Sequence, residues 1–188
     1  MQKLRRACWR KVRKIDVEHL VCVDESGANT AMSRTHARAL KGPRAVGKVP
    51  HGHWKTLTIL GALRWEGVAA AATIAAPTDA EVFRVLVRAA LVPALRPDDV
   101  VVWDPLSSHQ AAGVAEAVEA VGARRLPLPP YSFDLSPIEP CWSKVKQRLG
   151  TLAARTEETL GEAASAALSS VTAADAQGWF ENCGFCSH

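Results

Sequence analysis

Two apolar runs of four residues, at positions 20–23 and 100–103, each stop at an aspartate, Asp24 and Asp104. Runs so short and valine-rich read as buried strands. Glu25, Ser26 and Gly27 after the first run predict a turn, with a second strand over residues 31–33. Residues 55–63 and 68–74 flank Arg64-Trp65-Glu66-Gly67, a hairpin closed by glycine. Thr78, with Glu81 three residues later, has capping-box spacing and predicts a helix to about Leu91. Residues 109–121 read as a helix stopped by Gly122, and residues 125–128 as a short strand. Pro137 suits the first turn of a helix running to about Leu149, and two Ala-rich helices follow over 157–170 and 173–180. Hairpin, helix, strand, helix, strand and closing helices predict an α/β chain with one mixed sheet covered by helices.

The length of 188 residues fits one domain with a real core, and 48% hydrophobic against 22% charged residues excludes a disordered chain. No apolar run is long enough for a membrane span or a secretory signal, which predicts a cytoplasmic protein. Five cysteines, at 8, 22, 141, 183 and 186, are odd in number and scattered, the pattern of reduced thiols. Charge is unevenly spread. Residues 1–55 hold 13 Lys or Arg against 4 Asp or Glu, and residues 56–188 hold 10 against 15. Seven of those cations fall within residues 1–14, where there is no acid. Further cations, Arg34, Lys48 and Lys55 among them, lie in or beside a Gly- and Pro-bearing segment over residues 35–53, read as a basic loop. A polyanion is the natural partner of such a front, because cations that meet phosphates release condensed counterions; a solvated helix face or frayed tail is the bland alternative for the N-terminal cluster.

The acids that end the strands carry the chemistry. A single carboxylate at a strand end is usually a turn or cap residue. Asp24, Asp104 and Glu139, the last at a predicted helix start, form a set. Magnesium takes hard oxygen ligands, and two ions about 4 Å apart can activate a water or hydroxyl while stabilising the leaving oxygen of a phosphodiester.

Three blocks around these acids carry a resemblance: Val21-Cys22-Val23-Asp24-Glu25-Ser26-Gly27, then Val102-Trp103-Asp104-Pro105-Leu106-Ser107-Ser108-His109, then Leu128-Pro129-Pro130-Tyr131-Ser132-Phe133-Asp134-Leu135-Ser136-Pro137-Ile138-Glu139 with Trp142-Ser143-Lys144-Val145-Lys146. They are similar to the catalytic blocks of mariner-related bacterial insertion-sequence transposases of the DDE superfamily, and the 34 residues between Asp104 and Glu139 match the family's spacing. The resemblance implies a ribonuclease-H-like fold with a mixed five-stranded sheet flanked by helices. On this reading a basic N-terminal segment covers 1–19 and a catalytic domain with C-terminal helices covers 20–188; the N-terminal helix-turn-helix modules usual in the family are not visible, as expected of a fragment or a split-frame product. The resemblance further implies two Mg2+ ions, with Mn2+ as substitute, held by Asp24, Asp104 and Glu139. The activity implied is DNA cleavage and strand transfer at transposon ends by a homodimer acting on double-stranded DNA in the bacterial cytoplasm, at the nucleoid. His109, Tyr131, Lys144 and Lys146 match family positions beside the acids and are expected at the DNA, as are Arg34, Lys48, His51, His53 and Lys55 of the basic loop.

Three positions depart from the family pattern. Pro105 replaces the usual asparagine after the second aspartate and removes both an amide and a backbone donor. Phe133 stands where proline is common. Ser136 stands where asparagine is common and is expected to cap the helix bearing Glu139. Pro105 motivates the alternative reading, a catalytically impaired DNA-binding remnant, and a nuclease without strand transfer is a third. Weaker constellations are His51-Gly52-His53, whose imidazoles an extended segment would aim to one side, and Cys183-Gly184-Phe185-Cys186-Ser187-His188, half a zinc site that reads better as a frayed tail. Asp104, Ser108 and His109 lack the surroundings of a hydrolase triad. Trp103 and Trp142 are expected in the core, and Trp54 at the surface.

Overall fold

The computed structural model describes residues 2–76, 79–103, 113–130 and 132–185. Its centre is one five-stranded sheet of order β3-β2-β1-β4-β5, built from β1 (Leu20–Asn29), β2 (Thr56–Arg64), β3 (Gly67–Ile74), β4 (Val100–Trp103) and β5 (Arg124–Pro127). β1, β2 and β3 are antiparallel neighbours, whereas β4 and β5 join β1 in parallel. The pleat sorts the side chains. Leu20, Cys22, Val100, Val102 and Leu126 enter the larger core, with residues of α1 (Gln2–Val12), α4 (Ile138–Leu152), α5 (Glu157–Leu168) and α6 (Ala173–Asn182). Val21, Val23, Val101 and Trp103 enter the smaller core on the other face, under α2 (Ala80–Leu86), the π turn that extends it (Val87–Leu91) and α3 (Val114–Glu119). Burial on both faces explains why the central strands read as unbroken apolar runs rather than as alternating ones.

Several expectations are corrected. Glu25, Ser26 and Gly27 are not a turn: β1 continues to Asn29 because β2 pairs with it from Cys22↔Leu63 to Asn29↔Thr56. The ladder's hydrogen bonds outweigh local turn preference. No separate strand forms over 31–33. Asp79, not Thr78, caps α2, its carboxylate accepting from the Val82 N–H at 2.8 Å; Thr78 itself lies outside the described residues. Ser136 does not cap α4 with its side chain. Its carbonyl instead accepts the Glu139 N–H at 3.1 Å.

The chain's ends are held. Cys8 and Val12 of α1 are buried in the larger core, and Arg5 grips the Asp134 carboxylate and the Ser132 hydroxyl just ahead of α4. Rather than fraying, Cys183 and Phe185 are buried, with Phe185 5.6 Å from the Trp9 ring. Cys8, Cys22, Cys141 and Cys183 are buried free thiols. Among the described residues no helix is long and apolar enough to cross a membrane.

The segment after β1 leaves and re-enters the sheet through a closed neck. The Thr30 N–H donates to the Lys55 carbonyl at 3.1 Å, and the Lys55 N–H donates to Thr30 Oγ1 at 3.1 Å. Just beyond the neck, Arg155 donates to the Thr30 and Met32 carbonyls at 3.0 and 2.9 Å. A Cβ at Gly150 would lie 2.7 Å from the Ser33 carbonyl oxygen, so glycine lets this strap lie directly on α4.

Candidate active site

Asp24 sits at the fifth position of β1, and the pleat that sends Cys22 into the larger core turns Asp24 to the same side, toward α4. Glu139 is in the first turn of α4, where the helix N-terminus favours an acid. α4 is anchored by Ile138, Cys141, Trp142, Val145 and Leu149, a buried stripe at helical period that fixes where its first turn stands. Both carboxylates are half-buried. Burial pushes the Asp24 carboxyl up to about 6, and the negative charges of Glu25 and Glu139 push the same way. Hydrogen bonds from the Glu25 backbone and from Trp142 pull against that rise. Trp142 Nε1 donates to Asp24 Oδ2 at 2.9 Å. Two partly buried carboxylates brought to one place, from β1 and from α4, are a good seat for a hard divalent ion. The donor set fits such an ion.

Asp104, His109, Tyr131 and Pro105 lie outside the described residues. β4 is described to Trp103, whose carbonyl accepts the Leu128 N–H at 2.9 Å. Among the described residues no three His, Cys, Asp or Glu side chains form a metal-sized group. At His51-Gly52-His53 the Gly52 φ of +115° breaks any extended run, so the two imidazoles are not aligned as an extended segment would align them.

The basic positions divide into two kinds. Arg34, Lys48, His51, His53 and Lys55 are exposed on the loop, as is Trp54. Lys146 is exposed on α4 and lines an open cleft with Arg34, His36, Ser143 and Gln147 between the strap and the helix. Lys144, by contrast, is paired with Asp175, which also caps α6 through the Thr172 N–H and hydroxyl. Sequence reasoning placed Trp142 in the core three residues after Glu139, which is correct, but did not connect it to Asp24. It gave no weight to Gly61, the cross-strand partner of Asp24.

A mixed sheet with three antiparallel and two parallel strands, helices on both faces, and carboxylates offered from its central strand and from the helix packed on it defines a ribonuclease-H-like nuclease fold. The chain belongs to the DDE superfamily endonucleases, whose family model matches residues 19–160. A search of curated proteins finds no significant match. Among solved structures, the chain is similar to the catalytic domain of Mos1 mariner transposase, with a TM-score of 0.71 at 14% identity over 96% of this chain and 86% of that one. It is also similar to the Mos1 strand transfer complex, with a TM-score of 0.70 at 17% identity over 97% of this chain and 58% of that one. The Mos1 mariner paired-end complex with Mn gives 0.69 at 17% identity, over 100% and 61%. The chain thus spans about three fifths of the longer transposase chains it resembles, and at these identities the likeness is one of fold.

Proposed function

We propose that this chain is the catalytic domain of a DDE-type transposase, performing metal-dependent cleavage and strand transfer at transposon ends, with Asp24, Asp104 and Glu139 as its metal-binding carboxylates. The observation that carries the reading is the hydrogen bond from Trp142 Nε1 to Asp24 Oδ2 at 2.9 Å, which sets the start of α4, where Glu139 stands, against the strand that bears Asp24. The Mos1 paired-end complexes with Mn and with Mg support Mn2+ or Mg2+ as the ion here, two ions being the finer proposal. A bound divalent ion supplies a more acidic water and charge stabilisation for the leaving oxygen.

The chain's own residues do the rest. Asp24 and Glu139 accept the ion through oxygen. Arg34, Lys48, His51, His53, Lys55 and Lys146 meet the phosphate backbone, while Lys144 is already occupied by Asp175. Arg5 is likewise engaged and Arg13 lies over the Trp9 ring, which leaves Lys3, Arg6, Arg10, Lys11 and Lys14 as the exposed cations that α1 and its end offer to DNA. His109 and Tyr131 complete the DNA contacts in this reading. The bound form is a homodimer on paired DNA ends, at the nucleoid of a bacterium.

The test is nicking of supercoiled plasmid with Mg2+ or Mn2+, beside Asp24→Asn, Asp104→Ala and Glu139→Gln. Cleavage by the parent chain alone is the expected result. A parent chain that binds DNA without cutting it, and gains cleavage as Pro105→Asn, would make the natural protein the impaired remnant. Absence of metal-dependent cutting in both would overturn the catalytic reading.

A further inference from the structure

Asp24, Gly61 and Trp142 meet at the middle of β1. Register puts Asp24 opposite Gly61 of β2. A Cβ at Gly61 would lie 2.6 Å from Trp142 Cη2 and 3.0 Å from Cζ2, so only glycine leaves the indole its seat on the sheet. From that seat the ring, 4% exposed, delivers its N–H to Asp24 Oδ2 at 2.9 Å. Trp142 stands about one helical turn beyond Glu139, so a single rigid side chain joins the strand that bears one carboxylate to the helix that bears the other.

The choice of donor matters. A lysine or arginine at this place would orient Asp24 equally well but would bring a positive charge, in competition with any cation the carboxylates are to hold. An indole N–H orients without charge and cannot accept a hydrogen bond in return. It occupies one lone pair of Oδ2, and with the Glu25 backbone hydrogen bond also counted the carboxylate still has lone pairs for a ligand. Packing alone does not call for this arrangement, since a phenyl ring would fill much of the same space without an N–H to satisfy.

We infer that Trp142, seated by Gly61, is a positioning residue that sets the rotamer of Asp24 and its separation from Glu139 for divalent-ion binding. The inference rests on the proposed function. Outer-shell partners of this kind typically alter metal affinity or activity by about 10 to 100-fold.

The experiment is a titration of the DNA-free chain with Mn2+, the free ion being read by electron paramagnetic resonance. Asp24→Asn defines the site. Two replacements remove the N–H: Trp142→Phe, and benzothienylalanine at position 142, which keeps the bicyclic shape. Gly61→Ala displaces the ring. All three should weaken Mn2+ binding about 10 to 100-fold, while thermal melting of the benzothienylalanine protein and its DNA affinity in EDTA stay at parent values. If Trp142→Phe does not fold, the benzothienylalanine protein alone settles the matter. Parent-like Mn2+ affinity in that protein would overturn the inference and leave the proposed function standing, because the ring's shape would then be sufficient. A parent chain with no Asp24-dependent Mn2+ binding would overturn both.

Discussion

Asp99 and Asp24, two carboxylates at the middle of the sheet, are treated in opposite ways. Asp99, immediately before β4, is fully buried, yet Arg64 donates to it from Nη1 at 2.8 Å and again from Nη2, and the Arg96 N–H donates at 2.5 Å. Arg64 gives a further hydrogen bond to the Ala94 carbonyl at 2.8 Å. Asp24, on the neighbouring strand, is given a neutral indole and two acidic neighbours. A buried charge that is matched holds the fold together, while one left unmatched has its energy stored for a ligand. The contrast separates a structural acid from the acid proposed as a metal ligand more sharply than burial does.

The comparison can be broken most forcefully at its matched member. Arg64→Leu strands the Asp99 carboxylate inside the protein and should cost about 3 to 5 kcal/mol of stability, read from urea unfolding. A loss under about 1 kcal/mol would mean that Asp99 is served by its other donors and that the pair is not the anchor described.

At the unmatched member the sign reverses. The folded-state value of Asp24, about 6, lies above the ordinary carboxyl range. Its contribution to stability is therefore fully present below about pH 4 and is lost as pH rises through 6. Asp24→Asn should accordingly stabilise the metal-free chain by about 1 to 2 kcal/mol at pH 7.5 and have little effect near pH 4, while abolishing Mn2+ binding. Thermal melting in EDTA at the two pH values checks this.

Lys144 and Asp175 form a smaller matched pair at the surface. The Asp175 carboxyl is drawn down to about 2, first by Lys144 and then by the Thr172 hydroxyl and backbone. Stability from this group is present above the ordinary carboxyl value and is lost as pH falls through 2. Asp175→Ala, which removes a helix cap and an ion pair together, should cost about 1 to 2 kcal/mol at neutral pH. The smallest effect sharpens the same distinction on DNA. Lys146→Ala should lower the dependence of log affinity on log salt by about 1, and Lys144→Ala by less, because its charge is already spent on Asp175. Fluorescence anisotropy across a salt series measures both.

How much of this was legible depended on whether the cause was local. The four-residue apolar runs ending at Asp24 and before Asp104, the hairpin at Gly67 and the stripe on α4 are periodic and local, and the five-stranded fold could be read from them and from the resemblance. The extension of β1 through Glu25, Ser26 and Gly27 could not, because its cause is a partner strand more than 30 residues away. Arg64 and Asp99 are 35 residues apart, one in the expected hairpin turn and the other just ahead of an apolar run, where a charged residue needs no special explanation. Glu139 and Trp142 were visible as neighbours on one helix face. That the indole reaches Asp24 depends on the missing side chain of Gly61, a negative space that one sequence does not display.

The closed neck between Thr30 and Lys55 has a consequence for the chain's history and for its engineering. Whatever is spliced between those two residues is closed off by its own pair of hydrogen bonds, and Arg155, just past the end of α4, holds the Thr30 and Met32 carbonyls at its start. The excursion over residues 31–54 behaves as an interchangeable cassette: it can lengthen, shorten or change its charge while β1 and β2 keep their register. A lineage could in this way change the length and charge of this loop without disturbing the strand that bears Asp24.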